Sequence, residues 1–198
     1  MKKQSNDQIL YSATDLVNFL GCHHATFLDV EALTGDIGKV EPSDFQQLLI
    51  KKGLDHEVAY LQRLKDEGKT VVEIPKGNLL DRANLTLDAM KSGPDVIYQA
   101  VLFRSPWQGY ADFLIKCDTP SSLGDFSYEV LDTKLARTAE PKHIIQLCVY
   151  SELLMPLQDL RPANMYLFLG NQEKHQFRVT DFFYYYTRAK GRFESHLQ

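Results

Sequence analysis

Long apolar runs are missing from this sequence. Its apolar runs, such as residues 101–103 and 144–145, fall far short of the ~20 apolar residues a helix needs to cross a bilayer. No charged-then-apolar leader opens the chain either, because residues 1–8 are polar, so a secretory signal is not expected. Cysteine is scarce. Cys22, Cys117 and Cys148 are odd in number and widely spaced, which argues against a disulfide framework and for a reducing, cytoplasmic compartment. Positive charge is not in excess: 22 Lys and Arg stand against 26 Asp and Glu, a net charge of −4. Nothing global therefore advertises nucleic-acid binding, and any contact with DNA has to come from a local patch or a metal. Internal repeats, low-complexity tracts and linker-like stretches are also absent, which excludes solenoid, collagen-like and disordered chains.

What is present is the mix of a globular domain with a core: 198 residues, 44% hydrophobic and 24% charged, read as one domain over residues 1–198. Residues 12–20 predict a short capped helix and residues 34–42 a loop. Residues 43–67 read as a helix in two pieces around Gly53, with Leu54, Val58, Leu61 and Leu64 at helical spacing in the second. A short strand at 70–74 and a helix at 81–90, ending near Gly93, come next. The centre is β-rich: 95–103, 107–117 and 128–134 are strands of β-branched and aromatic residues. Pro141 suits the first turn of a helix running to about Leu154. A strand at 165–169, a turn at 170–174 and a strand at 176–184 complete an α/β (α+β) order.

Chemistry concentrates in residues 128–134. Alternation along a strand puts Tyr128, Val130, Asp132 and Lys134 on one face, and buried charge is costly unless paired or bound to metal. The preceding strand repeats the oddity, since Asp112 interrupts an apolar stretch on a face shared with Tyr110 and Leu114. Two carboxylates on adjacent strands are what a hard divalent cation would need. Glu57, three residues after Leu54 and four before Leu61, falls on the apolar side of its helix, while His56 is rotated about 100° away. Gln146 and Tyr150, four apart, share one side of the next helix.

Other conspicuous residues read as structural. Glu129 turns to the strand face opposite Asp132, Trp107 reads as packing, and His23 and His24 lack a metal-ligand spacing. The five aromatics at 182–186 read as an edge strand or a docking face.

In combination, residues 53–57 (Gly-Leu-Asp-His-Glu), Asp112, the Asp132-Thr133-Lys134 triplet and the Gln146-xxx-Tyr150 pair resemble the RecB-like branch of the PD-(D/E)XK nuclease superfamily. The wording of these segments is similar to a subfamily often fused to a superfamily-1 helicase, and the resemblance covers roughly residues 9–170. It implies a restriction-endonuclease-like core, a central mixed sheet flanked by helices. It also implies an Mg²⁺- or Mn²⁺-dependent deoxyribonuclease of DNA repair or recombination, acting on single-stranded or flapped ends. Its partners would be DNA and a fused or associated helicase, with this chain the amino-terminal part of a longer protein. Asp112, Asp132 and Lys134 would be catalytic. Asp112, Asp132, the Thr133 carbonyl and either Glu57 or His56 would hold the metal, the helical face favouring Glu57. Gln146 and Tyr150 would contact nucleic acid; Arg137 and Lys142, just past the strand, read either as further phosphate contacts or as solvated loop charges. The sequence departs from relatives that carry histidine where Glu57 stands. It also lacks any cysteine after Cys148, so no iron–sulfur cluster is expected. Two other readings stay open: a non-catalytic nucleic-acid-binding module, and a hydrolase of another phosphate ester.

Overall fold

Alternating β-branched and aromatic residues build the centre of the molecule, and the helices cover it. The computed structural model describes residues 1–3, 8–35, 37–38 and 40–197. A two-stranded ribbon, β1 (Lys2–Lys3) with β2 (Ile9–Leu10), leads into α1 (Ala13–Gly21), whose start is closed by a capping box between Ser12 and Asp15. Then follow α2 (His23–Thr34), α3 (Asp44–Asp66), β3 (Val71–Glu73), α4 (Leu79–Ser92), β4 (Val96–Arg104), β5 (Trp107–Cys117) and β6 (Ser127–Lys134). The chain continues through α5 (Pro141–Gln158), β7 (Asn164–Leu169), β8 (Lys174–Arg178) and α6 (Val179–His196).

The main sheet has six strands in the order β3-β4-β5-β6-β7-β8. Its β3–β4 and β6–β7 pairs are parallel and the rest antiparallel, so the sheet is mixed. One face carries α5, buried on nearly every side because α1 and α6 pack outside it. The other face carries the second half of α3, where Tyr60, Leu61 and Leu64 pack on Tyr98, Phe113, Leu131 and Phe168. No helix among the described residues is long and apolar enough to cross a membrane.

Several expectations need correction. The helix over residues 43–67 is continuous: Gly53 does not divide it, since a glycine costs only about 1 kcal/mol against alanine within a long cooperative helix. Its buried stripe is Glu57, Tyr60, Leu61 and Leu64, whereas Leu54 and Val58 are exposed. Residues 23–34 form α2, a helix the sequence did not announce. The last strand stops at Arg178 rather than running to Tyr184. The aromatic run at 182–186 belongs to α6, where Val179, Tyr186, Ala189 and Phe193 bury one helical face and Tyr184 and Tyr185 stay exposed.

One local distortion positions everything that follows. Ala111 and Leu114 both join the core on the α5 face, and so do Ile97 and Ala100. Residues three apart on a regular strand lie on opposite faces. Alternation therefore rephases in β4 and β5 together, at Gln99 and Asp112, which the register sets opposite each other between Tyr98↔Phe113 and Ala100↔Ala111. Gln99 carries the strain, with φ of 57° in the left-handed region. The expected face of Tyr110, Asp112 and Leu114 is thus broken at Asp112 itself.

Candidate active site

The sheet forks at Asp112. Pairing between β5 and β6 ends at Phe113↔Leu131, and beyond it β6 pairs only with β7, as Asp132↔Leu167, Thr133↔Phe168 and Lys134↔Leu169. The Asp112 carboxylate stands in the fork. Its Oδ2 accepts from the Thr133 N–H and the Thr133 hydroxyl, both at 2.8 Å.

Asp132 lies one residue earlier on β6, 1% exposed. Regular alternation in this strand turns it toward α5, with Tyr128 and Val130. Its Oδ1 accepts at 3.3 Å from Gln146 Nε2, which also donates to the Tyr150 hydroxyl at 2.9 Å. Its Oδ2 forms an ion pair with Lys134 but has no hydrogen-bond donor of good geometry. Glu57 arrives from α3, buried, and accepts a hydrogen bond from the Gln99 amide.

Electrostatics tie these groups into one centre. Burial first, then the Glu57 carboxylate, push Asp112 up to about 6, against the pull of Lys134. Burial, then Asp112, push Asp132 up to about 7. Desolvation works to lower Lys134, but Asp132 and Asp112 outweigh it and its net shift is upward, so the amine stays an ammonium at neutral pH. Burial and then Asp132 raise the Tyr150 hydroxyl well above its ordinary value.

Direct contacts thus join Asp112 to Thr133, and Asp132 to Lys134, Gln146 and through it Tyr150, while Glu57 acts on Asp112 and Lys134 through its charge alone. His56 stands apart from the carboxylates: its ring stacks on Phe168 at 5.3 Å and its Nε2 is buried without a partner. Thr133 takes part through its N–H and hydroxyl. Arg137 is exposed and Lys142 pairs with Glu140 at 2.9 Å, both outside the carboxylate centre. Glu129 is buried on the far face, where Asn164 and the Tyr166 hydroxyl satisfy it.

Three participants escaped the sequence reading. Gln99 breaks an apolar strand just as Asp112 does, and that break was the available signal. His143 lies one turn before Gln146, and burial and then the Lys134 charge hold its imidazole below the ordinary value. Tyr110 has cations over its ring, Lys2 at 5.7 Å and Arg82 at 5.4 Å, and lines with Tyr150 and Gly109 a cavity of about 190 Å³. No local pattern marks it.

Whether these residues suit a metal turns on their donors. Among the described residues, no three His, Cys, Asp or Glu side chains form a cluster that could hold an ion. Glu57 turns instead to Gln99, and Asp112 to Thr133. The chemistry nevertheless fits a hard divalent cation: the available donors are carboxylate oxygens, and the buried Asp132 Oδ2 is held by the Lys134 ion pair alone. Comparison with known proteins adds no name, for no protein-family model and no curated protein matches the chain.

Proposed function

We propose that this chain is a nuclease that hydrolyses phosphodiester bonds in DNA with the help of Mg²⁺ or Mn²⁺. The observation that carries the reading is one buried centre at a strand fork, where Asp112 and Asp132 have raised affinity for protons and face a single ammonium, Lys134. Two carboxylates under mutual repulsion favour a cation over water.

Asp112 and Asp132 would hold the ion, with Glu57 released from Gln99 as the third ligand. When bound, such an ion supplies an acidified water and charge neutralisation at the scissile phosphate. The residues of the chain do the rest. Lys134, which pairs with Asp132, would orient the attacking water and stabilise negative charge on the phosphoryl oxygens. Thr133 fixes Asp112, and Gln146 fixes Asp132. Tyr150 and the cation-flanked Tyr110 offer a phenol and a ring face to the sugar–phosphate chain or a base. None of these groups reads base edges, so low sequence specificity follows.

The reading is similar to the RecB-like nucleases in its Asp, Asp-x-Lys and Gln-xxx-Tyr series, and a helicase partner rests on that resemblance alone. A second reading, a binding module without catalysis, draws on the absence of a ready ligand cluster among the described residues. End-labelled single- and double-stranded DNA incubated with Mg²⁺ or Mn²⁺ separates the two. Metal-dependent shortening supports the nuclease, while binding without cleavage in both metals supports the module.

A further inference from the structure

A second feature lies at the other end of α1. A shallow groove of about 510 Å³ is lined by Arg188, Gly191, Arg192, Ser195, His196, His23 and Phe19, with no acidic residue among them. Arg188 and Arg192 are four apart on α6, so their side chains rise on one side of the helix, where like charges repel. Neighbouring cations are neutralised: Lys190 pairs with Glu152 at 2.7 Å, and Arg178 with Asp181 at 3.1 Å. Arg188 and Arg192 have no such partner among the described residues.

The groove is also shaped. His23 stacks on buried Phe19 at 4.3 Å, and the His196 ring lies 5.5 Å from His23, so two imidazoles form one wall. Gly191 lies between the arginines, inside a helix, where glycine costs about 1 kcal/mol. Packing does not require it, because an added Cβ would meet nothing within 4 Å. A glycine there leaves the helix backbone open to close approach. The cleft under the end of α3 makes a contrast: its Arg63, Lys69, Lys116 and Lys174 are offset by Glu67 and Asp95.

We infer that this groove is an exosite for the phosphodiester backbone of a single-stranded nucleic acid, held by the guanidinium forks of Arg188 and Arg192 with His23, His196 and Ser195 as further donors. Planar guanidinium forks match phosphate oxygens bidentately. The groove exposes no apolar side chain of its own, which speaks against a lipid surface. Its position suits a strand leaving the candidate active site. The Ala13 end of α1 lines the cavity beside Tyr150, and Phe19 toward its other end floors the groove, roughly 9 Å away along the helix. The inference deepens the proposed nuclease function and rests on it.

The test measures binding of a fluorescent single-stranded DNA in EDTA, across a salt series. The probe has about 20 nucleotides, longer than the ~4–16 that one single-strand-binding module covers. R188E/R192E is expected to bind roughly ten- to a hundredfold more weakly, with a salt slope shallower by about 1.4, the ~0.7 per phosphate of single strands for two contacts. G191L strengthens the helix by propensity yet fills the groove, and should weaken binding without changing the charge. Both variants should keep the wild-type rate on a small chromogenic phosphodiester, which does not reach the groove. Unchanged affinity and slope in both variants would overturn the exosite while leaving the nuclease reading intact. Loss of binding to phosphatidylserine vesicles, with DNA binding kept, would overturn it in favour of a membrane. A wild-type protein that neither binds nor cuts DNA would remove both.

Discussion

Asp112 and Thr133 are joined side chain to backbone across a gap in the sheet. The Asp112 carboxylate accepts both the N–H and the hydroxyl of Thr133 at 2.8 Å, at the point where β5 and β6 have stopped pairing. A carboxylate thus does the work of a missing main-chain acceptor. It places an anion in the fork while satisfying an N–H that would otherwise be orphaned. The same residue is half of the paired distortion that re-aims β4 and β5, since Gln99 lies opposite it with φ of 57°.

Removing either the fork carboxylate or the amine should abolish Mg²⁺-dependent DNA degradation. Asp112→Ala and Lys134→Ala are each expected to lower cleavage by at least about a hundredfold, the scale on which one preorganised charge acts in a transition state. Circular dichroism should still show a folded chain, although Asp112→Ala orphans the Thr133 N–H and Lys134→Ala the Asp132 carboxylate, so each melts somewhat lower. Cleavage at the wild-type rate by either purified variant would remove the proposed mechanism.

Metal binding can be read without activity. Mn²⁺ at about a hundred times its dissociation constant should stabilise the folded chain by ~2.7 kcal/mol, or roughly 5–11 °C in a domain of this size. The gain should vanish in Asp132→Ala, which removes one of the two buried carboxylates proposed to hold the ion. A melting temperature that Mn²⁺ leaves unmoved in the wild type would argue for the non-catalytic module.

Without metal, the two acids should make the protein less stable as pH rises. Their ordinary value of 3.8 is raised to about 6 for Asp112 and about 7 for Asp132, so the folded chain keeps protons that the unfolded chain has released. More protons bound in the native state means stability that declines with rising pH, here between about 4 and 7. Asp132→Asn removes much of that decline. In EDTA it should melt above the wild type at pH 8, and by a smaller margin or none at pH 5. An equal or larger gain at pH 5 would contradict the assignment. For the same reason, metal must displace these protons, and Mn²⁺ affinity should rise from pH 6 to pH 8.

The sequence made the regular parts of this site legible and hid the irregular ones. β6 alternates without interruption, so the shared face of Tyr128, Val130 and Asp132 could be read directly. The i,i+4 pairing of Gln146 and Tyr150 could be read likewise, and it is realised as a 2.9 Å hydrogen bond. The face of Asp112 could not, because the rephasing at Gln99 is cooperative between two strands and leaves no trace in either alone. Of the two neighbours that place Glu57 on the buried side of α3, Leu61 belongs to the buried stripe with Tyr60 and Leu64, whereas Leu54 is exposed. The edge strand expected at 182–186 is a helix: in the sequence, β-propensity outweighs a helical spacing that only the burial of Val179, Tyr186 and Phe193 makes visible. α2 gave no signal, since apolar residues such as Phe27 and Leu28 are exposed and trace no buried stripe.

Gly109 offers the sharpest test of Tyr150. It lies on β5 directly beneath the ring, and a Cβ built there would come within 2.7 Å of Tyr150 Cδ1 and 2.9 Å of its Cε1. The ring is carried by α5 and buried over β5, so Gly109→Ala must push it toward the cavity it shares with Tyr110 and away from its place beside Gln146. Overpacking of this kind costs about 1–3 kcal/mol in stability. Its functional signature is different, because the whole ring is displaced, taking with it both the hydroxyl that Gln146 holds and the ring face beside Tyr110. Gly109→Ala should therefore lower DNA cleavage more than Tyr150→Phe does, since the phenylalanine variant keeps the ring in place and loses only the hydroxyl. Comparing the two variants in one cleavage assay, at a temperature where both are folded, decides the point. Equal activity in Gly109→Ala and wild type would show that the position of the Tyr150 ring is irrelevant to the reaction.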